Sequence, residues 1–176
     1  KGGVGYNYIK NHQIFVGAGR YGTYEERKIS QEEFRIWLQY TFSHKIGDLK
    51  LDHRGRAEKR FFYASQTGTN TEAVRYRYRL SGTLPINNSK VQEGTFFVNA
   101  FEELFFGAVE PNFKRNRSFA GFGYQFNNSL SATTGYMFQR EFTQKRNENY
   151  HFLYFALNFT IDPSDDERDF SIPMVD

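Results

Sequence analysis

From Val74 to Leu80 the chain alternates without a break: Val74, Tyr76, Tyr78 and Leu80 are apolar, and Arg75, Arg77 and Arg79 stand between them. A period of two belongs to a β-strand whose two faces meet different surroundings. The same alternation recurs in nine segments, near residues 3–10, 13–21, 33–43, 48–63, 73–84, 95–106, 116–126, 130–142 and 150–161, bounded by Gly, Asn, Asp and Ser. Helical periodicity is nearly absent. The segments are long: ordinary strands run to about five or six residues, whereas strands that cross a membrane take about nine to eleven.

The connections carry a second pattern. Stretches 10–13, 44–48, 86–94 and 127–129 alternate with the mostly longer and more charged stretches 22–33, 64–72, 107–116 and 144–149, the nine residues at 86–94 being the weak member. Outer-membrane barrels interleave short periplasmic turns with long outer loops in this way. If the last strand descends to the periplasm, the first does too, and an even strand number then calls for at least one further strand upstream. The expectation is a barrel of ten or twelve strands, nine of them seen here. The chain opens at Lys1 without Met, in keeping with a processed or incomplete N-terminus.

Alternation also sorts the side chains. Phe34, Ile36, Leu38 and Tyr40 fall on one face with Tyr76, Tyr78, Phe122, Tyr124, Leu153 and Phe155, while the arginines fall on the other with Gln39, Gly121, Gly123 and Asn158. In a soluble sandwich the apolar face turns inward. In a barrel in lipid it turns outward, and the charged face lines the lumen.

Composition favours the second arrangement. Phe, Tyr and Trp make up 19% of a chain whose mean hydropathy is −0.70, and lipid contact and an interfacial girdle give those rings a place. No apolar run of about 18 residues exists, so a transmembrane helix is excluded. Cysteine is absent, which removes disulfides and thiolate metal sites. A net charge of +3 does not demand a nucleic acid, and Arg and Tyr on opposite faces cannot grip one strand of it together.

The succession EEFRIWLQYTF, LDHRGRAEKRFF, VRYRYRLSGTL, VNAFEELFF, RNRSFAGFGYQF and LSATTGYMFQREF resembles the DUF2490 family of small bacterial outer-membrane β-barrels over residues 3–161. The resemblance rests on Glu33, Arg35 and Gln39; on His53, Arg54, Arg56, Glu58 and Arg60; on the Arg-x-Arg strand; on Glu103 and Phe105; and on Gly135, Tyr136 and Met137. It implies a Gram-negative outer-membrane location and further upstream strands, and it supplies no activity. The chain departs from the barrel habit of ending on an aromatic: DPSDDERDFSIPMVD, residues 162–176, continues as an acidic tail after a barrel domain over 1–161.

Candidate chemistry is sparse. GAGRYG, residues 17–22, matches a dinucleotide fingerprint but lies inside an alternating strand with no helix after it. His12, His44, His53 and His151 lack ligand spacing, so no metal or other cofactor is expected. A membrane-embedded lipid hydrolase would need Ser beside His, and His53, facing lipid, has no such Ser near it in sequence.

The lumen remains. Parity places Arg35, Lys50, Arg54, Arg56, Arg60, Arg75, Arg77, Arg79 and Arg117 there with Asp52, Glu58, Glu103 and Glu141, opposite a small wall of Gly121, Gly123 and Gly135 that the guanidinium arms are expected to reach across. The resulting expectation is a non-enzymatic barrel in the lipid bilayer. Its lumen is either closed by ion pairs, as in a structural or accessory subunit bound to other outer-membrane proteins, or open as a narrow anion-favouring channel.

Overall fold

A computed structural model describes residues 1–160, so the expected acidic tail at 162–176 lies outside the described residues. Among them are nine strands and no helix: β1 (Gly2–Ile9), β2 (His12–Glu25), β3 (Lys28–Ile46), β4 (Leu49–Ala64), β5 (Thr69–Pro85), β6 (Thr95–Gly107), β7 (Phe113–Gln125), β8 (Leu130–Glu141) and β9 (Glu148–Phe159). They form one sheet in chain order, each strand antiparallel to the next. The sheet is not closed: β1 is paired with β2 and β9 with β8, and the two edges are not paired with each other.

The connections depart from the expected rhythm of short and long. The charged stretch 22–33 is almost wholly strand, because β2 and β3 stay paired to Glu25 and Lys28. Their turn is Glu26–Arg27, with φ of 48° and 65°, a conformation in which Gly or Asn is usual. Likewise 64–72 contracts to residues 65–68, and the longest connection is 86–94. Polar composition there marks solvated hairpin tips rather than irregular loops.

Burial along these strands is inverted relative to a soluble domain. Glu103, Glu58 and Arg79 are 0–1% exposed, whereas Leu153 is 94% and Phe155 71% exposed. In a protein bathed in water, charged residues are almost never fully buried and large apolar ones usually are. Among the described residues no second layer covers the polar face, so its burial requires the sheet to curl until that face packs on itself.

Aromatic rings assist the curl. The rings of Phe97 and Phe119 lie over Gly123 and Gly121, and that of Trp37 over Gly17; a Cβ on those glycines would stand 2.2 to 2.3 Å from ring carbons. The glycine wall is thus covered by Phe97 and Phe119, whereas the sequence suggested guanidinium arms. Glycine lets a ring lie flat on the backbone where any side chain would hold it off.

Rings on the exposed face form belts near the strand ends. Tyr8, His12, Phe42, His44, His53 and Tyr78 follow one another across β1 to β5 at centroid spacings of 4.8–6.3 Å. Phe96, Phe122, Tyr124 and Phe126 continue the belt on β6, β7 and the turn after it. Phe106, Phe113 and Phe142 cluster at the opposite end.

Replacement of Gly123 by Val should lower unfolding stability in detergent by about 1–3 kcal/mol, since the Phe97 ring and the Ala132 carbonyl leave no room for a side chain. Gly55→Ala is the control, because a Cβ there meets nothing within 4 Å, and its effect should stay within about 0.5 kcal/mol. Urea midpoints for the two variants measure the difference; equal shifts would remove the ring-on-glycine account.

Candidate functional site: a buried arginine–glutamate network

Strand register places like charges side by side. Arg54 on β4 is paired with Arg79 on β5, and Arg56 with Arg77, while Glu58 is paired with Arg75. One strand further, Arg79 is paired with Glu103 and Arg77 with Phe105, and β7 brings Arg117 beside Glu103 and Arg115 beside Phe105. Rows of cations directly opposite each other destabilise a sheet unless carboxylates answer them.

Glu103 is the centre of the answer. Its Oε1 accepts from Arg54 Nη2 at 2.8 Å and from Arg77 Nε at 2.9 Å, its Oε2 accepts from Arg79 Nη2 at 2.6 Å, and Arg117 Nη1 stands 3.8 Å from Oε2. Glu58 repeats the arrangement on β4: Arg75 donates from Nε at 2.6 Å, Arg77 from Nη1 at 2.9 Å, and Arg56 Nη1 lies 3.6 Å away. Arg77 therefore bridges the two carboxylates. The planar guanidinium, with five N–H donors, suits this sharing in a way that an ammonium does not.

A second cluster gathers towards one end of β3, β4, β7 and β8. Arg60 donates twice to Glu33, at 2.7 and 2.9 Å, and Arg35 donates to the same carboxylate at 2.8 Å. Glu141 is 2.5 Å from Arg115 and accepts from Gln139 at 2.7 Å. Near the other end Lys50 lies 3.8 Å from Asp52, which also accepts from Ser43 at 2.5 Å.

Neutral groups meet part of the positive charge. Gln39 accepts two bonds from Arg56, at 2.9 and 2.6 Å, and Gln139 accepts two from Arg117, at 3.0 and 2.8 Å. The buried Phe105 ring has the guanidiniums of Arg75, Arg77, Arg115 and Arg117 at 4.7–5.5 Å from its centroid, and Phe101 has Arg79 at 4.2 Å. Cation–π contacts gain strength where water is excluded.

The thirteen residues grouped by parity fall on one face of the sheet, Arg56, Glu58, Arg77, Arg79 and Glu103 buried and the others half-buried, and Glu33, Arg115, Gln39, Gln139 and Phe105 join the same contacts. Glu33 shares its parity with Arg35 two residues on, and that signal marks it. Arg115 likewise shares its parity with Arg117 two residues on, but it lies just before the expected start of its strand at residue 116; the pairing is regular up to Phe105–Arg115 and becomes irregular only beyond it, at Lys114.

The model of the family described as "Protein of unknown function (DUF2490)" matches residues 1–150. The chain belongs to the DUF2490 family. No curated protein and no solved structure matches it. In this DUF2490 chain three of the four histidines bond to tyrosines rather than to serines: His53 to Tyr78 at 2.8 Å, His12 to Tyr40 at 2.6 Å, and His151 to Tyr136. No group of His, Cys, Asp or Glu among the described residues is placed to hold a metal ion.

Glu103→Gln should destabilise the protein by about 3–5 kcal/mol, because it leaves several buried guanidiniums around a neutral amide. Glu141→Gln should cost well under half of that, since this carboxylate side chain is 22% exposed and serves one guanidinium. Urea unfolding followed by near-UV circular dichroism distinguishes the two. Equal and small losses would mean that Glu103 does not hold the network together.

Proposed function

We propose that this chain is the larger part of an outer-membrane β-barrel, non-enzymatic, whose lumen is closed by its own charge network and which acts as a structural or accessory component of an envelope assembly. The observation that carries the reading is the inverted burial of a single-layered sheet: carboxylates and guanidiniums sealed on one face, aromatic and aliphatic side chains exposed on the other. Water penalises that arrangement and a bilayer rewards it, because an outward apolar band flanked by aromatic girdles is what lipid and its interfaces require.

Strand lengths of 12–19 residues from β2 to β9 support the same reading, since about nine to eleven suffice to cross the hydrocarbon. The two unpaired edges of β1 and β9 call for a partner, because lipid offers nothing to an open row of peptide groups. One or more further strands between them would close the barrel at ten or twelve.

Closure of the lumen is supported by the near-complete burial of Glu103, Arg79, Phe97 and Phe105. Small barrels are filled by side chains, and wide channels need about sixteen strands. The excess of cations on the buried face favours, as a second reading, a narrow path for small anions.

Leu153→Arg, at a position 94% exposed, tests the membrane reading directly. In a bilayer it should cost about 2–4 kcal/mol near the midplane, whereas on a water-exposed surface it should cost within about 0.5 kcal/mol. Unfolding in lipid vesicles measures it. Planar-bilayer recording of the full-length protein separates the two functional readings: no unitary conductance is expected of the closed barrel, and steady chloride-selective steps would establish the channel instead.

A further inference from the structure

The β4–β5 hairpin projects beyond β6, because β5 begins at Thr69 whereas its pairing with β6 begins at Arg75 opposite Gly107. Between Thr69 and Val74 the β6-facing edge of β5 therefore has no strand beside it. An open cavity of about 580 Å³ occupies this notch, within the size range of small-molecule sites.

The walls of the cavity differ in kind. Arg75 and Arg115 enter from the buried face with side chains 14% and 27% exposed, above the Phe105 ring at 5.5 and 5.2 Å. Val74 and Val109 line it on the other side, Val109 being 71% exposed. Between them lies Lys114, whose side chain passes over Gly107 and which has no ion pair with a carboxylate among the described residues. The neighbouring carboxylates are engaged: Glu141 with Arg115 and Gln139, and Glu72 with Lys59.

We infer that this notch binds an amphiphilic anion, its carboxylate or phosphate head held by Lys114, Arg75 and Arg115 and its alkyl chain running out along Val74 and Val109. A purely polar anion would leave the valine wall unused. A purely apolar molecule would leave the Lys114 ammonium beside hydrocarbon without a counter-charge. The site does not depend on whether the buried face conducts, nor on how the sheet edges are closed.

Octanoate and octyl phosphate are suitable probes, titrated calorimetrically into the full chain in a non-ionic maltoside. Octanol, acetate and inorganic phosphate serve as comparisons. At least one of the two amphiphiles should bind saturably with one site per chain, about tenfold or more tighter than octanol and than its own short counterpart. Lys114→Gln, which disturbs no ion pair, should weaken that binding about tenfold while the far-UV spectrum stays unchanged. Val109→Asn, which adds no charge, should weaken it as well, through the chain rather than the head. Equal affinity for octanol would reduce the effect to partition into micelles, and equal affinity for acetate or phosphate would reduce it to charge alone. Indifference to Lys114→Gln would place the binding elsewhere. Each of these three results overturns the inference.

Discussion

Arg54 beside Arg79 and Arg56 beside Arg77 set the problem that the rest of the molecule solves. Directly opposed residues have their Cβ atoms about 5 Å apart, so in a dry interior two such pairs of guanidiniums would force the strands apart. Glu103 and Glu58 prevent this by taking several cations each, and Arg77 ties the two carboxylates into one unit. Removing ions from water is expensive, and only complete hydrogen bonding recovers the cost. The network is therefore cooperative by necessity: a single missing carboxylate leaves several cations unanswered.

That dependence reaches the backbone. Side chains alternate with a period of two, so a one-residue slip of β5 against β4 or β6 would turn Arg75, Arg77 and Arg79 onto the apolar face and Tyr76 and Tyr78 into the network. Few registers can be penalised so heavily. Curvature is fixed by the same face, since the arginines are buried only if the sheet bends around them. Gly17, Gly121 and Gly123 allow the bend by admitting Trp37, Phe119 and Phe97 against bare backbone. Charge network and ring-on-glycine packing are thus two parts of one interior, the first spread over β3 to β8 and the second on β2, β3, β6 and β7.

Alternation made most of this legible in the sequence, because strand faces follow from parity alone wherever the pairing is regular. The strands, their antiparallel order and the sharing of one face by the Arg and Glu residues needed no further information. Parity fails where regularity does. At the Phe105/Phe106 irregularity it no longer says which way Lys114 points, and at Arg115 and Glu26–Arg27 it gave way to composition, which reads charged stretches as loops although the strands continue into them. What covers the glycines was not legible either. Parity says that Phe97 and Phe119 share a face with Gly121 and Gly123, but whether a ring or a guanidinium lies across a given glycine depends on rotamers and sheet curvature, which no one-dimensional pattern contains.

The balance between a sealed interior and a conducting one turns on how the surplus positive charge is met. Carboxylates on the buried face are outnumbered by cations, and if nothing else answered the surplus, mobile anions would have to enter and the interior would be wet. The structure provides other answers. The Gln39 amide oxygen takes two bonds from Arg56, that of Gln139 takes two from Arg117, and the rings of Phe101 and Phe105 lie against Arg79, Arg75, Arg77 and Arg115. Amide oxygens and π faces solvate a cation without neutralising it. They let the face stay both positive and dry, with a residual field that still attracts anions to its rim. In the closed barrel proposed above, a positive interior of this kind would draw anions to the open notch beside Lys114 rather than pass them through the closely packed middle of the sheet.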